Sequence, residues 1–388
     1  MDESKHVFWS TQPVKNNQNK FKLDVDENSI GTIKPISNLV RDYPYELPPR
    51  FEWRILDIEN KDDLDQLYSL LKLHYVEDSD AFFRLHYSKD FLKYNLNNSS
   101  TLELPSWNIG VFYNEHLLAF ISGVTISLQV LSKQLDKVVE VNFLCVHKEL
   151  RSRRLAPIMI RELTRRANLH GIAYAIYTTG TKLPGSIAEC RYYHRPINHR
   201  KLTSYNFCPK VEKEEKYVLP DKFTAEGIRL MEEKDCARVL ELYHLGMRTY
   251  NSKIYQKHTK ETIERLFLPR PKIVYTYVKE TNDVVTDYFS FVTFDTLILI
   301  NGRELDNIKT AYYYSAYGET MDKKELLQNA VIAAKLVNQD VFNALDIENN
   351  KKYFNELLFE RGDGVLHYYL YNYLVPQLKP SDISICLH

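Results

Sequence analysis

The stretch Val141-Asn142-Phe143-Leu144-Cys145-Val146-His147-Lys148-Glu149-Leu150-Arg151-Ser152-Arg153-Arg154-Leu155-Ala156-Pro157 runs β-branched and aromatic residues into a basic loop that opens a helix. A helix start carries unpaired N–H groups and a partial positive charge, which suits a phosphate or pyrophosphate. Lys148, Arg151, Arg153 and Arg154 add formal charge at that spot. The same residues also fit a solvated basic turn before an amphipathic helix, and composition does not separate the two. Glu77, Asp78 and Asp80 form a local acidic cluster, suited to a basic partner or to a plain solvated helix end. His194 alone reads more readily as a structural histidine than as a catalyst. Asp363, between Gly362 and Gly364, fits a bare turn as well as a site.

The elements that would position these residues follow from periodicity. In the first half, 52–58 reads as a strand and 62–73 as a helix with Leu64, Leu67, Leu70 and Leu71 on one stripe. Strands 108–113 and 117–129 flank the turn Asn114-Glu115-His116, and a third strand spans 138–146. A helix over 155–169 has Pro157 in its first turn and Gly171 just past its end, and a strand over 172–178 follows. The second half repeats the order: strand 226–231, helix 236–246, strands 272–278 and 284–300 around 280–283, strand 310–317, helix 323–337, strand 341–345 and a short helix 353–359. This predicts an α/β fold with a mixed sheet flanked by helices, built from a duplicated unit. Residues 1–50 read as a flexible arm, interrupted by the aromatic island Val7-Phe8-Trp9, which is expected to dock because exposed aromatic pairs cost solubility.

Composition removes several classes of function. The 388 residues are 44% apolar and 26% charged, with 51 basic and 51 acidic side chains, so the net charge is zero. A protein that coats nucleic acid carries a basic excess, so no nucleic-acid partner is expected. The 28 Tyr and 18 Phe exclude a disordered chain. Five scattered cysteines without a CxxC pair predict reduced thiols, a cytoplasmic location and no metal site. The polar N-terminus holds no secretory signal, and the longest uncharged stretch, 116–132, is too short and too polar to span a membrane.

Strand, basic loop and helix start in this order also occur in acyl-CoA-dependent N-acyltransferases. The chain closely resembles the eukaryotic glycylpeptide N-tetradecanoyltransferase (N-myristoyltransferase) family. The resemblance is carried by Glu140-Val141-Asn142-Phe143-Leu144-Cys145-Val146-His147-Lys148 with Leu150-Arg151-Ser152, by Tyr75-Val76-Glu77-Asp78, by Phe8-Trp9-Ser10-Thr11-Gln12-Pro13-Val14, and by Gly362-Asp363-Gly364 with Tyr368-Tyr369-Leu370-Tyr371-Asn372. It extends from about Lys5 to the last residue. It implies two acetyltransferase-like (GNAT-type) halves related by a pseudo-twofold, 1–185 binding tetradecanoyl-CoA and 186–388 supplying most of a peptide groove and the C-terminal carboxylate. The reaction implied moves a tetradecanoyl group from CoA to the amino group of an N-terminal glycine. The acyl-CoA is then a substrate, no prosthetic group is needed, and the chain is expected to act as a monomer.

The resemblance also implies site residues. The backbone N–H groups of Phe143 and Leu144 would form an oxyanion hole, although these two also fit an ordinary buried pair in a central strand. His6, Val7, Phe8 and Trp9 match an arm closing over CoA, and Phe143, Leu144, Cys145, Val146, Arg151, Ser152, Arg153, Arg154, Leu155 and Ala156 match the remaining acyl-CoA contacts. On the peptide side, Tyr75, Val76, Asp78, Phe83, Arg84 and Tyr87 match the first groove segment, with Asn142, Thr178, Gly180, Tyr192, His194 and Asp363 around the acceptor. Thr296 and Tyr314 match too, in a register that the run Tyr312-Tyr313-Tyr314 leaves open. Ser79 and Tyr193 depart from the family, which often has an acid and a Trp there.

The general base implied is the chain's own terminal carboxylate, on His388. Ile383, Ile385 and Leu387 alternate with Asp382, Ser384 and Cys386, a strand-like period that would anchor the end inside the protein. A carboxyl near pKa ~3.5 faces an amine near ~8, a gap of about 6 kcal/mol that burial narrows from both sides. The His388 imidazole is the alternative base. A generic acetyltransferase of small amines would share the CoA loop without needing an apolar tunnel. An RNA-binding module on the basic run 151–166 is disfavoured by the zero net charge.

Overall fold

A computed structural model describes residues 7–15, 29–37, 39–78, 80–96 and 105–387. Two long hairpins organise it. In the first, Ser106–Tyr113 pairs with His116–Val130, which pairs in turn with Lys133–Val146, all antiparallel. Asn114 and Glu115 both take positive φ (46° and 67°), as a tight two-residue turn demands. Lys133–Val146 then meets Tyr174–Thr179 in parallel, but over a single short stretch, Val138 opposite Tyr174 to Glu140 opposite Ile176. Beyond Glu140 the two strands part. The right-handed helix between them, Leu155–Leu169, covers the face of the sheet with Leu155, Met159, Leu163 and Ala167.

The second half repeats this plan. Val284–Ile300 and Arg303–Gly318 form the hairpin, and Arg303–Gly318 runs parallel to Val341–Leu345 only from Thr310 to Tyr312. Both hairpins carry a bulge just past the parallel stretch, at Phe143–Leu144 opposite Ile121 and at Tyr314 opposite Ser290/Phe291. This bears out the expected duplication inside a mixed, helix-flanked sheet.

The halves share one sheet. Glu360–Tyr371 sits antiparallel between Tyr174–Thr179 and Ala188–Pro196. Phe83–His86 pairs with Val284–Ile300 across the boundary, Leu85 lying opposite Thr296. Near the far edge, Ile383–Ser384 lies parallel to Ile254–Gln256, which pairs with His116–Val130.

Most expected elements stand, with bounds moved by a few residues: the helix Lys61–His74 buries the four leucines of its predicted stripe. Two readings need correction. The helix placed over 353–359 ends at Phe354, because Leu358 turns left-handed (φ 59°) and the chain enters the unforeseen strand Glu360–Tyr371. The described part of the stretch read as a loose arm is tied down. Gly31–Thr32 pairs with Tyr373–Leu374, the Tyr45 N–H donates to Glu162, and Arg165 donates to the carbonyls of Arg41 and Asp42. Glu162 is fully buried, so these partners and its ion pairs to Arg165 and Arg166 satisfy a charge that would otherwise be costly.

Candidate active site

The first bulge creates the centre of the site. Two residues, Phe143 and Leu144, oppose the one residue Ile121, and Phe143 takes φ 52°, a conformation unusual for a bulky side chain. On the other side of this strand, pairing to Tyr174–Thr179 has already ended at Glu140. Backbone N–H groups at the bulge are therefore not used up by the ladder, and the Phe143 amide hydrogen-bonds the Tyr75 hydroxyl oxygen. Burial pushes the Tyr75 phenol well up, partly offset by that amide. The bulge also turns the Phe143 ring into an aromatic cluster, edge-on to Tyr87 (5.2 Å) and 5.9 Å from Tyr75. Cys145, two residues on, is buried, and burial pushes its thiol up to about 12, so it is neutral packing and no nucleophile.

Downstream, His147 caps a short 3-10 turn, accepting from the Glu149 N–H, and leads to the helix at Leu155. Arg154 at the helix N-cap has φ 59°, and no side chain caps the helix, leaving its first N–H groups without that partner. Ser152, Arg153 and Arg154 are exposed, Ala156 half-buried and Leu155 buried. The basic residues divide into two kinds. Arg151 donates to the carbonyls of Val146 and His74, and Lys148 binds Glu77 at 2.7 Å, so both brace the loop. Arg153 and Arg154 make no ion pair among the described residues. The aromatic island docks as expected at Trp9, which stacks on Tyr177 (5.6 Å), itself stacked on Tyr369 (4.9 Å), while Phe8 meets Arg161 of the helix. Val7 is exposed, and His6 lies outside the described residues.

On the opposite side, the segment 75–87 folds back on itself. The Leu85 N–H donates to the Val76 carbonyl, the Asp78 N–H to Phe83, and Asp78 Oδ1 accepts from the Phe82 and Phe83 N–H groups at 2.7 Å. Glu77 is held by Arg84 and Lys148, which pull its carboxyl down against the opposing effect of burial. The acidic cluster is thus one tethered acid, one turn-forming acid and the exposed Asp80, with Ser79 outside the described residues. Arg84 is buried on Glu77 and the Lys72 carbonyl, so its side chain is committed to the loop.

Tyr192 and His194 share one face of Ala188–Pro196. The His194 Nδ1–H donates to Asn343 Oδ1 (2.7 Å), which fixes the tautomer, and burial holds the imidazole neutral by pushing its pKa down. Gly362-Asp363-Gly364 bulges out opposite Tyr192, pinned by Arg191 through the Gly362 and Asp363 carbonyls. A Cβ on Gly362 would lie 2.2 Å from His194 Nε2, so only glycine fits there. Asp363 is exposed, as is Gly180 at the end of Tyr174–Thr179, beside the half-buried Thr178. Tyr193 points to the other face, 4.6 Å from Phe354 in the core. Strand alternation sets Tyr313 apart from Tyr312 and Tyr314. Tyr312 stacks on Phe294 (4.1 Å) and hydrogen-bonds Thr296 and Asn343, while Tyr314 occupies the second bulge and lines a cavity with Glu140 and Asn142. Tyr313 faces the core, bonded to Glu348 and Lys323.

The chain's end enters this centre. Ser384 hydrogen-bonds Ser252 (2.6 Å), the Ile385 carbonyl accepts from Tyr368, and Ile383, Ile385 and Leu387 are buried as their alternation predicts. Cys386 lines the Glu140–Tyr314 cavity and also, with Leu387, a second one bounded by Tyr192, Tyr312 and Asn343. His388 lies outside the described residues. Sequence reasoning did not single out Glu140 or Asn343, which line these cavities. A polar Asn343 inside the apolar strand Val341–Leu345 was the available signal. Among the described residues no helix is long and apolar enough to cross a membrane, and no group of His, Cys, Asp or Glu is placed to hold a metal.

Two family models match, the N-terminal domain of myristoyl-CoA:protein N-myristoyltransferase over 30–190 and the C-terminal domain over 206–384. The chain belongs to the N-myristoyltransferase family. Among its relatives it is 40% identical to glycylpeptide N-tetradecanoyltransferase 1 of Arabidopsis thaliana over 405 residues, covering all of this chain and 90% of that one. It is 38% identical to glycylpeptide N-tetradecanoyltransferase 2 of Danio rerio, over 99% of this chain and 77% of that protein. The Saccharomyces cerevisiae N-myristoyltransferase crystallised with bound myristoyl-CoA superposes with a TM-score of 0.86 at 34% identity, over 96% of this chain and 94% of that one. This N-myristoyltransferase-family chain is an acyltransferase.

Proposed function

We propose that this chain transfers the tetradecanoyl group of tetradecanoyl-CoA to the α-amino group of an N-terminal glycine in protein substrates. The observation that supports this reading is one cavity lined both by Cys386 of the C-terminal segment and by Asn142, next to the Phe143–Leu144 bulge on a strand that runs on into a basic loop and an uncapped helix start. Residues 1–185 bind the donor, with Phe8 and Trp9 over the nucleotide side. Residues 186–388 supply most of the acceptor groove, closed from the other half by 75–87. Tyr192, His194, Thr178, Thr296 and Tyr312 line the groove, and Asp80 and Asp363 favour basic residues after the glycine.

In this reading the thioester carbonyl oxygen replaces the Tyr75 hydroxyl at the Phe143 N–H and accepts from it and from the Leu144 N–H, which stabilise the charge that develops as the amine attacks. The terminal carboxylate on His388 takes a proton from the glycine ammonium before attack. The new C–N bond forms, the C–S bond breaks, and the CoA sulfur leaves as thiolate and is protonated. The sunken path of 383–387 supports a carboxylate held in an apolar setting, where its basicity rises.

Burying thirteen carbons at ~0.8 kcal/mol each contributes on the order of 10 kcal/mol before entropy costs, so chain length is the sharpest test. Transfer from labelled acyl-CoAs of graded length to a Gly-x-x-x-Ser-Lys peptide is expected to peak at fourteen carbons. Equal transfer from acetyl-CoA would overturn the reading.

A further inference from the structure

The acyl transfer proposed above releases one proton per turnover, and the base that first takes it must be emptied before the next. A glycine ammonium and a thioester give an amide, a CoA thiol and one free proton. Nitrogen loses two protons in all: one before attack, one as the tetrahedral intermediate becomes an amide. Sulfur keeps one of them. The other must leave an enclosed site.

A second carboxylate stands beside the reacting region. Glu140 ends the parallel stretch of the strand that carries the Phe143–Leu144 bulge. It shares a strand face with Asn142, whose Nδ2–H donates to Glu140 Oε1 at 2.7 Å. Both line a cavity of about 40 Å³ together with Tyr314, Gln256, Arg265 and Cys386. That is room for water, and the lining offers several polar groups to bond it. Cys386 lies two residues before the chain's end, so the cavity reaches the segment that bears the terminal carboxylate.

We propose that Glu140 is a second proton acceptor of the acyl transfer, drawing into this cavity the proton that the terminal carboxylate must give up before the next turnover. The inference rests on the acyl-transfer reading. Its surroundings suit the task. Burial pushes the Glu140 carboxyl up, with Asn142 and Arg265 opposing. Tyr94, Tyr314 and Cys386, which face it from three other elements, are all pushed up and stay neutral. Arg265 contributes positive charge from the helix Lys260–Phe267, and its buried Nε has no hydrogen-bond partner. A carboxylate kept only to orient Asn142 would need no proton affinity, and this difference is measurable.

The test is transfer from tetradecanoyl-CoA to a Gly-x-x-x-Ser-Lys peptide by the full chain carrying Glu140→Gln or Glu140→Ala. Gln keeps the shape and still accepts from Asn142, but holds no proton. Glu140→Gln is expected to lower kcat tenfold or more with tetradecanoyl-CoA affinity and peptide KM within twofold. Glu140→Ala is expected to fall similarly and to recover with added formate, which fits the vacated space and supplies a carboxylate. Glu140→Gln within twofold of the parent kcat overturns the proposal, and so does a folded Glu140→Ala that ignores formate. Direct titration with tetradecanoyl-CoA shows folding; if Glu140→Ala fails it, Glu140→Gln decides alone. A chain extended past His388, assayed alongside, separates the two bases. An inactive extended chain with an active Glu140→Gln removes Glu140 and keeps the terminal carboxylate; the reverse pattern keeps Glu140 and removes the other.

Discussion

The Tyr368 hydroxyl donates to the Ile385 carbonyl at 2.8 Å in the protein interior, three residues before the chain ends. A chain end usually frays, because few contacts repay the entropy of fixing it. Here Tyr368, the Ser252–Ser384 pair and the parallel pairing of Ile383 with Ile254 hold it. Tyr368→Phe leaves a buried carbonyl without its donor, a cost of about 1–3 kcal/mol. We expect a lowered Tm and a fall in kcat, with tetradecanoyl-CoA affinity unchanged. A variant that loses Tm but keeps kcat would show that this tether does not position the chain end.

The split among the basic residues makes a second prediction. Arg153→Ala with Arg154→Ala removes charge that no ion pair among the described residues uses. KM for tetradecanoyl-CoA should rise several-fold, and its dependence on salt should weaken, since fewer exposed phosphate contacts remain to be screened. Arg151→Ala instead breaks the brace to Val146 and His74 and should cost stability as well. Kinetics at two ionic strengths, with thermal melts, tell these apart.

Gly362 allows the Gly362–Gly364 bulge to lie against His194. Gly362→Ala places a methyl 2.2 Å from Nε2, so His194 must move away from Asn343. Such overpacking costs about 1–3 kcal/mol. The loss should fall on kcat/KM for the peptide, and donor binding should be spared. A peptide kcat/KM equal to the parent's would remove His194 from the acceptor groove.

The His74 ring lies 3.9 Å from that of His147, tilted by 42°, and burial together with the charges of His147, Lys148, Arg151 and Arg84 pushes it down to about 4. Its unfolded value is near 6.5. Between those values the unfolded chain binds the extra proton, so the contribution is complete above pH ~6.5 and is lost as pH falls toward 4. His258, pushed down to about 3, acts in the same direction. We expect Tm to fall between pH 7 and pH 5 and His74→Gln to flatten that slope. An unchanged slope would mean that His74 is not held neutral.

Much of the frame was legible because burial is written in periodicity: the leucine stripe of Lys61–His74, the Asn114–Glu115 turn and the Pro157 and Gly171 boundaries all follow from local chemistry. What local chemistry does not encode is pairing between distant segments. Phe83–His86 becomes a strand only through Val284–Ile300, and Glu360–Tyr371 only because two other strands leave a gap for it. The site shows the same limit. The resemblance supplied Phe143 and Leu144, but no side chain announces a bulge. The acidic cluster read as three free charges until Glu77 met Lys148, 71 residues away in the chain. Tyr193 read as a groove residue until alternation turned it into the core.

The account rests on acyl transfer beside the cavity that Asn142, next to the Phe143–Leu144 bulge, shares with Cys386. The most direct measurement is kcat for transfer from tetradecanoyl-CoA to a Gly-x-x-x-Ser-Lys peptide in two variants, His388→Leu and a chain extended by a few residues beyond His388, with donor affinity titrated in both. The account predicts that His388→Leu, which keeps the terminal carboxylate and removes the imidazole, retains most of kcat, while the extended chain binds tetradecanoyl-CoA normally and loses kcat strongly. An extended chain with undiminished kcat would contradict it.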